Sequence, residues 1–366
     1  MRTLAVATAL TVALATPASA DPSPSLPGPT GRQPVGVTSL YLKDTSRPDP
    51  WVPTVPYREL MVSVFYPATS ANGPTKQYMT TLESQLNLER LNIPGLPLDV
   101  FSKVRTNAVV DAKPAGRTLP LVVLSPGWTQ PRATLTALAE DLASHGYLVA
   151  AIDHTYENRA QTFPDGHVTE CAACAFDDDE ATFWPKFYDV RSADTSFVLD
   201  ELLRSRWGRI VDPKRIGMTG HSAGGATTTH AMLADPRIRA GADIDGSQHV
   251  TMPDSGLSRP FMFLGSMDNY VPGAMGPYDD WETDWQHLYG WKRWIMVTGT
   301  VHQSFTDLGV LADQLGVDLG DSIDPYRALD VTRAYVRAFF DQHLRCKPQP
   351  LMAAPSSAYP EVTFIG

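Results

Sequence analysis

The chain has 366 residues, 43% of them apolar and 19% charged, enough to bury the core of one large α/β domain or two small ones and too apolar for global disorder. Its formal net charge of −10 repels phosphate backbones and anionic lipid. Nucleic acid is therefore excluded as an expected partner, and so is polybasic docking on a membrane.

Arg2, the apolar run Leu4 to Ala15 and the small-residue triplet Ala18-Ser19-Ala20 have the layout of a secretory signal peptide spanning residues 1–20. The run is too short for a mature membrane anchor, and no later segment is apolar enough to cross a bilayer, so a secreted protein is expected. Residues 21–34 carry five prolines among glycines and serines and are expected to form a flexible linker. The catalytic domain is expected to cover residues 35–345, with residues 346–366 as a peripheral tail.

Val35–Leu42 and Leu60–Tyr66 read as extended segments, whereas residues 71–117 mix helix-like pieces with Pro-Gly punctuation. From Leu119 the pattern is regular. Leu119–Leu124 and Tyr147–Ile152 are continuous apolar runs, as strands buried on both faces must be. Between them Thr134–Ser144 has helical spacing and stops at Gly146. Phe187–Leu203 reads as a helix, Arg215–Thr219 as a strand, and Ala223–Leu233 as a helix directly after it. Ala240–Ile244, Phe261–Leu264 and Trp294–Val297 are further strands, and Tyr326–Leu344 is a closing amphipathic helix. Strands alternating with helices predict an α/β fold with a mainly parallel central sheet flanked by helices.

Gly220-His221-Ser222-Ala223-Gly224 fits G-x-S-x-G between a predicted strand and a predicted helix, the setting of the nucleophile elbow of α/β hydrolases. A serine on so sharp a turn needs glycine two residues away on either side, because bulk there would strike the neighbouring strand and helix. The turn lifts Oγ above the sheet and aims the helix N-terminus at a developing oxyanion. Serine also needs a histidine to take its proton and a carboxylate to orient that histidine. Five histidines follow Ser222. His230, His287 and His343 fall on predicted helices, while His302 lies in the loop beyond a late strand, where the catalytic histidine of this fold sits. Asp245 and Asp268 both follow predicted strands and are the candidate acids. The later loop favours Asp268, and Asp243 points to the other side of its strand.

Several stretches together resemble the platelet-activating-factor acetylhydrolase family. They are Val64-Phe65-Tyr66-Pro67-Ala68, Leu121 through Trp128, Asp141 through Tyr147, Gly220 through Thr227, Ile244-Asp245-Gly246 and Gly299 through Asp307. The resemblance implies a triad of Ser222, Asp245 and His302, with an oxyanion hole from the backbone amides of Ala223 and Trp128. It also implies short-acyl phospholipids or related lipid esters as substrates, with a broad lipase or polyester hydrolase as the rival. A further rival is an inactive hydrolase fold that only binds. One departure is Ser125-Pro126-Gly127, where the family usually has Ser-His-Gly, because proline has no amide to donate. No cofactor or metal is expected.

Export permits disulfides, and three cysteines allow at most one internal bridge, for which Cys171 and Cys174 are the preferred pair. Asp177-Asp178-Asp179-Glu180 lacks the alternation of a calcium loop and reads as solvated. Trp281, Trp285, Trp291 and Trp294 read as packing residues. His154 is expected either to line the pocket or to bond a neighbouring loop.

Overall fold

The computed structural model describes residues 23–91, 93–115, 118–267, 269–273 and 280–366. The expected signal peptide therefore lies outside the described residues, as does Asp268. The chain opens on a hairpin of β1 (Val35–Asp44) and β2 (Arg58–Pro67), followed by α1 (Thr81–Glu89) and the short β3 (Val109–Val110). It then alternates β4 (Leu119–Ser125), α2 (Thr136–Ser144) and β5 (Leu148–His154). A small two-stranded ribbon, β6 (Gln161–Thr162) and β7 (Val168–Thr169), precedes the long α3 (Glu180–Arg204). Next come β8 (Val211–His221), α4 (Ala223–Ala234), β9 (Ile238–Ile244), β10 (Phe261–Ser266), α5 (Asp280–Gln286) and β11 (Lys292–Val297). The chain closes with α6 (Asp307–Gln314), α7 (Pro325–Arg345), α8 (Pro350–Ala353) and β12 (Val362–Phe364).

Ten strands form one sheet in the order β12-β11-β10-β9-β8-β4-β5-β2-β1-β3. The six from β5 through β11 in that order are mutually parallel, whereas β2 and β12 run antiparallel to their neighbours β5 and β11. Side chains alternate faces along each strand, so the apolar runs of β4 and β5 feed two cores at once. Val122 and Leu124 meet α2 and α7 through Leu138, Leu142, Tyr335 and Phe339. Leu121 and Val123 meet α3 through Val198, Leu199 and Leu202. Each fully buried Leu or Val contributes about 1.5–3 kcal/mol to folding, which is why the runs outweigh local propensity.

The helix ends follow side-chain chemistry. The Asp324 carboxylate accepts from Arg327 N ahead of Pro325 at the start of α7. Gly146, at φ +92°, ends α2. Its amide reaches Ala143 O and the Tyr147 amide reaches Leu142 O, which satisfies the last carbonyls of the helix.

Three expectations need correction. Residues 23–34 do not behave as a flexible linker. Leu26 is buried, its amide bonds Arg105 O at 2.9 Å, Ser25 exchanges two bonds with the Gln314 side chain, and Thr30 N bonds Asp141 at 2.8 Å. Proline removes donors, but here the segment is fixed by contacts with residues far along the chain, at Arg105, Asp141 and Gln314. The tail beyond 345 is not peripheral either, because β12 pairs with β11 and buries Val362. Finally, α3 starts at Glu180 rather than Phe187, with Pro185 inside it. The proline hid the first two turns from a sequence reading.

Candidate active site

Parallel strands β4 and β8 lie side by side, and the chain leaves them in opposite directions across the sheet, so a crevice forms at their C-terminal ends. Ser222 sits there, on the one-residue turn from β8 into α4, with φ +56° and ψ −130°. A non-glycine residue at positive φ is strained, and such strain collects at functional positions. The glycine requirement is steric. A Cβ on Gly224 would stand 2.0 Å from Ser125 O, and one on Gly220 would stand 2.4 Å from Ser125 O and from the Gly224 carbonyl carbon.

Asp245 follows β9, also at positive φ (+55°), and is fully buried. Its Oδ1 accepts the Ser266 amide at 2.7 Å, and its Oδ2 lies 2.6 Å from His302 Nδ1. His302 begins the turn His302–Phe305 after β11, and its side chain is 41% exposed. The bond to Asp245 places the ring proton on Nδ1 and leaves Nε2 as the basic nitrogen. The His221 ring lies against His302, with centroids 4.4 Å apart, and its Nε2 donates to the His302 carbonyl at 2.7 Å. Burial, and then the neighbouring His302, hold His221 well below the usual imidazole range, so it is a neutral support for that loop. The structure thus brings Asp245, and not Asp243, to His302. Asp243 accepts from Gly246 N and the Gln248 side chain, on the α4 side of its strand.

The loop after β4 carries Trp128. Gly127 approaches so closely that a Cβ on it would be 3.2 Å from Ser222 Cβ and 3.3 Å from His221 Nδ1. The Trp128 ring packs edge-on against Phe183 at 4.9 Å and Phe187 at 5.3 Å. Ala223 is the first residue of α4, so its amide has no acceptor within the helix.

A buried charge network beneath this loop was not foreseen. Arg191 of α3 donates from Nη1 to Pro126 O at 2.5 Å and to Ser125 Oγ at 3.0 Å, and from Nε to Glu157 at 2.7 Å. Arg58 pairs with Asp49, Asp194 and Glu157. His154 bridges the two halves, with Nδ1 2.8 Å from Asp194 and Nε2 3.1 Å from Ser125 Oγ. Its bonds are to the last residue of β4 and to α3, and not to a neighbouring loop as expected. Burial, reinforced by Arg191, lowers His154 to about 3, so it stays neutral. Burial acts to raise Asp194, but Arg58 and His154 outweigh it and hold the carboxyl well below the usual range. The signal in the sequence was the spacing Phe187, Arg191, Asp194, Val198, which puts opposite charges on the buried stripe of a helix. At Pro126 the network grips the backbone carbonyl, an acceptor that proline keeps although it has no amide to donate.

Among the described residues, His221, Asp245 and His302 place ligand-type atoms within 4.8 Å of one another. Of their ring nitrogens, His302 Nδ1 is engaged by Asp245 and His221 Nε2 by the His302 carbonyl. The described cysteines 171 and 174 are disulfide-bonded and Cys346 is a free, exposed thiol. Trp281 is fully buried and stacks on Tyr270 and Phe263, the packing role expected of it. Residues 178–180 are exposed, as the solvated reading requires. No helix among the described residues is long and apolar enough to cross a membrane.

Comparison with known proteins bears on this geometry. The profile of platelet-activating factor acetylhydrolase, isoform II, matches residues 24–206 and 193–349. A probable 1-alkyl-2-acetylglycerophosphocholine esterase of Arthroderma benhamiae is 29% identical, over 93% of both chains. Platelet-activating factor acetylhydrolase of Gallus gallus is 26% identical over 75% of this chain and 74% of its own. The solved structure of a ferulic acid esterase from Streptomyces cinnamoneus is 41% identical and superimposes with a TM-score of 0.83, covering 94% of this chain and all of that one.

Proposed function

The chain belongs to the platelet-activating factor acetylhydrolase, isoform II, family, and we propose that this carboxylic ester hydrolase works through an acyl-enzyme formed on Ser222. The observation that carries the proposal is the 2.6 Å contact of His302 Nδ1 with buried Asp245 beside a serine held at positive φ. His302 Nε2 takes the proton of Ser222 as Oγ bonds to the ester carbonyl carbon. The resulting oxyanion is held by the amides of Ala223 and Trp128. His302 then passes its proton to the leaving alkoxy oxygen as that C–O bond breaks, and water repeats the sequence to release the acid. Asp245 keeps the ring in the required tautomer and offsets the imidazolium charge.

The substrates proposed are short-acyl lipid esters, in line with the relatives named for alkylacetylglycerophosphocholine. The ferulic acid esterase relative, at 41% identity, favours a second reading in which the acyl group is aromatic. Export is part of the proposal and is supported by the apolar segment after Arg2 and by the Cys171–Cys174 disulfide. A fluorophosphonate should label the wild type and not Ser222→Ala, and that variant should lose ester turnover by at least about 10³-fold. Full activity in Ser222→Ala would end the proposal. Acetyl, long-chain acyl and hydroxycinnamoyl esters compared by kcat/KM separate the two readings of substrate.

A further inference from the structure

Lys76 lines a cavity of about 390 Å³ over the β1–β2 hairpin, bounded by the start of α2 and by the turn between β6 and β7. Its ammonium bonds only the Gln77 carbonyl, at 3.2 Å, and has no carboxylate partner among the described residues. The two carboxylates that share the cavity are already satisfied. Glu83 accepts the Thr80 amide through Oε2 at 2.7 Å and the Thr162 amide through Oε1 at 2.8 Å. Asp153 accepts the Arg132 amide at 2.6 Å and pairs with Arg132 Nη1. Arg132 Nε donates to Ser63 Oγ at 2.8 Å, which leaves Nη2 without an acceptor among the described residues. Burial, and then the charge of Arg132, lower the Lys76 ammonium to about 8, the sign of a cation short of negative charge. Met61, Phe65, Met79 and Phe163 make much of the remaining wall apolar. Ser222, Asp245 and His302 are not among the residues that line it.

We propose that this cavity binds a small organic monocarboxylate at a site separate from the catalytic one, with the carboxylate on Lys76 Nζ and Arg132 Nη2 and the apolar body against Met61, Met79 and Phe163. A cation withdrawn from water is costly without a counter-ion, and the carboxylates at hand are spent on backbone amides and on Arg132. A bound carboxylate supplies that counter-ion through charge-assisted hydrogen bonds. The charge balance selects a monoanion. Glu83 and Asp153 offset the two cations in sum, so a dianion such as phosphate meets more repulsion than a carboxylate does. The walls select a ligand with an apolar body, and the volume is of the size that small-molecule sites have. Pro131 and Arg132 continue the loop that follows β4, so the acid sits beside that loop without reaching the nucleophile. Binding here does not depend on the Ser222 reading.

Titration calorimetry with the whole protein tests the inference, using benzoate, its neutral analogue benzamide, and acetate and inorganic phosphate, which lack the apolar body. Benzoate should bind with a Kd of about 1 mM or tighter, and each of the other three at least about tenfold more weakly. Lys76→Gln removes the unpaired charge and should weaken benzoate at least about tenfold. Ser39→Trp fills the cavity from an exposed position on β1 and should do the same. Ser39 is exposed, so this variant should fold even if Lys76→Gln does not. Benzoate at about ten times its Kd should leave the KM for p-nitrophenyl acetate unchanged. No binding of benzoate up to about 10 mM, benzamide or phosphate bound as tightly as benzoate, or wild-type affinity in either folded variant would each overturn the assignment. A competitive rise in KM would also overturn it, by placing the acid in the catalytic site. Turnover surviving in Ser222→Ala would instead overturn the ester-hydrolase reading and leave the binding results standing.

Discussion

Arg191 is the most exacting test of how the oxyanion loop is held. It grips Pro126 O and Ser125 Oγ through Nη1, grips Glu157 through Nε, and lies 4.2 Å over the Phe187 ring. In Arg191→Met, Glu157 keeps Trp51 Nε1 at 2.9 Å and Arg58 at 3.5 Å but loses its closest cation. Removing one partner of a buried pair costs about 3–5 kcal/mol, which leaves a folded protein within the usual margin of about 5–15 kcal/mol but lowers Tm by roughly 4–7 °C in a chain of this length. The kinetic effect is separate. Loss of an oxyanion donor costs about 10²–10³ in kcat, and a misplacement of about 1 Å costs about 10². A loosened Trp128 amide should therefore lower kcat about 30- to 100-fold with KM little changed, because the contact matures only in the transition state. Arg191→Lys keeps the charge but cannot span Glu157 and the loop with one fork. It should recover most of the stability and little of the kcat. The assay is steady-state hydrolysis of p-nitrophenyl acetate beside thermal unfolding of each variant. If both variants, shown to be folded, keep kcat within about twofold of wild type, the network does not position the loop.

The remaining predictions concern separate parts of the molecule. Asp245→Asn should lower kcat by about 10³–10⁴ without disturbing the fold, since it inverts the bond that sets the His302 tautomer; a loss under tenfold would return Asp268 to consideration. Asp284 is raised to about 6 by burial while its Oδ1 accepts Met252 N at 2.8 Å. A carboxyl whose folded pKa exceeds its unfolded value weakens the fold above the folded pKa and ceases to do so below the unfolded one. Asp284→Asn should therefore be more stable than wild type by about 1–3 kcal/mol at pH 8, a gain that shrinks as pH falls through 6 and vanishes near 4; urea unfolding at both pH values checks it, and a pH-independent difference refutes it. Cys171 and Cys174 close a loop of only three residues' separation, so Cys171→Ser with Cys174→Ser should cost no more than about 2 kcal/mol, measured by the same unfolding. A cost above about 4 kcal/mol would mean that the bridge supports more than its own loop.

The parts of this protein that are periodic or local were legible in its sequence. Continuous apolar runs specify strands buried on both faces, and Gly220 through Gly224 specify a turn that only glycines at its two ends can make. The proposed nucleophile and the fold class follow from those, as does Gly146 at the end of α2, because caps act within a few residues. What depends on distant pairing was not legible. Residues 23–34 look like a linker by composition, yet Arg105, Asp141 and Gln314 hold them. The segment beyond 345 lacks a pattern because three residues along one neighbour suffice for β12. Either Asp245 or Asp268 satisfied the order of a triad, and only the folded chain puts Asp245 Oδ2 at 2.6 Å from His302. Sequence by itself thus determined which residues could react and on which kind of element. Tertiary structure alone decided which carboxylate meets His302 and that Arg191 grips the loop, because hydrogen bonds act over about 3 Å while the partners stand 57 and 65 residues apart in the chain.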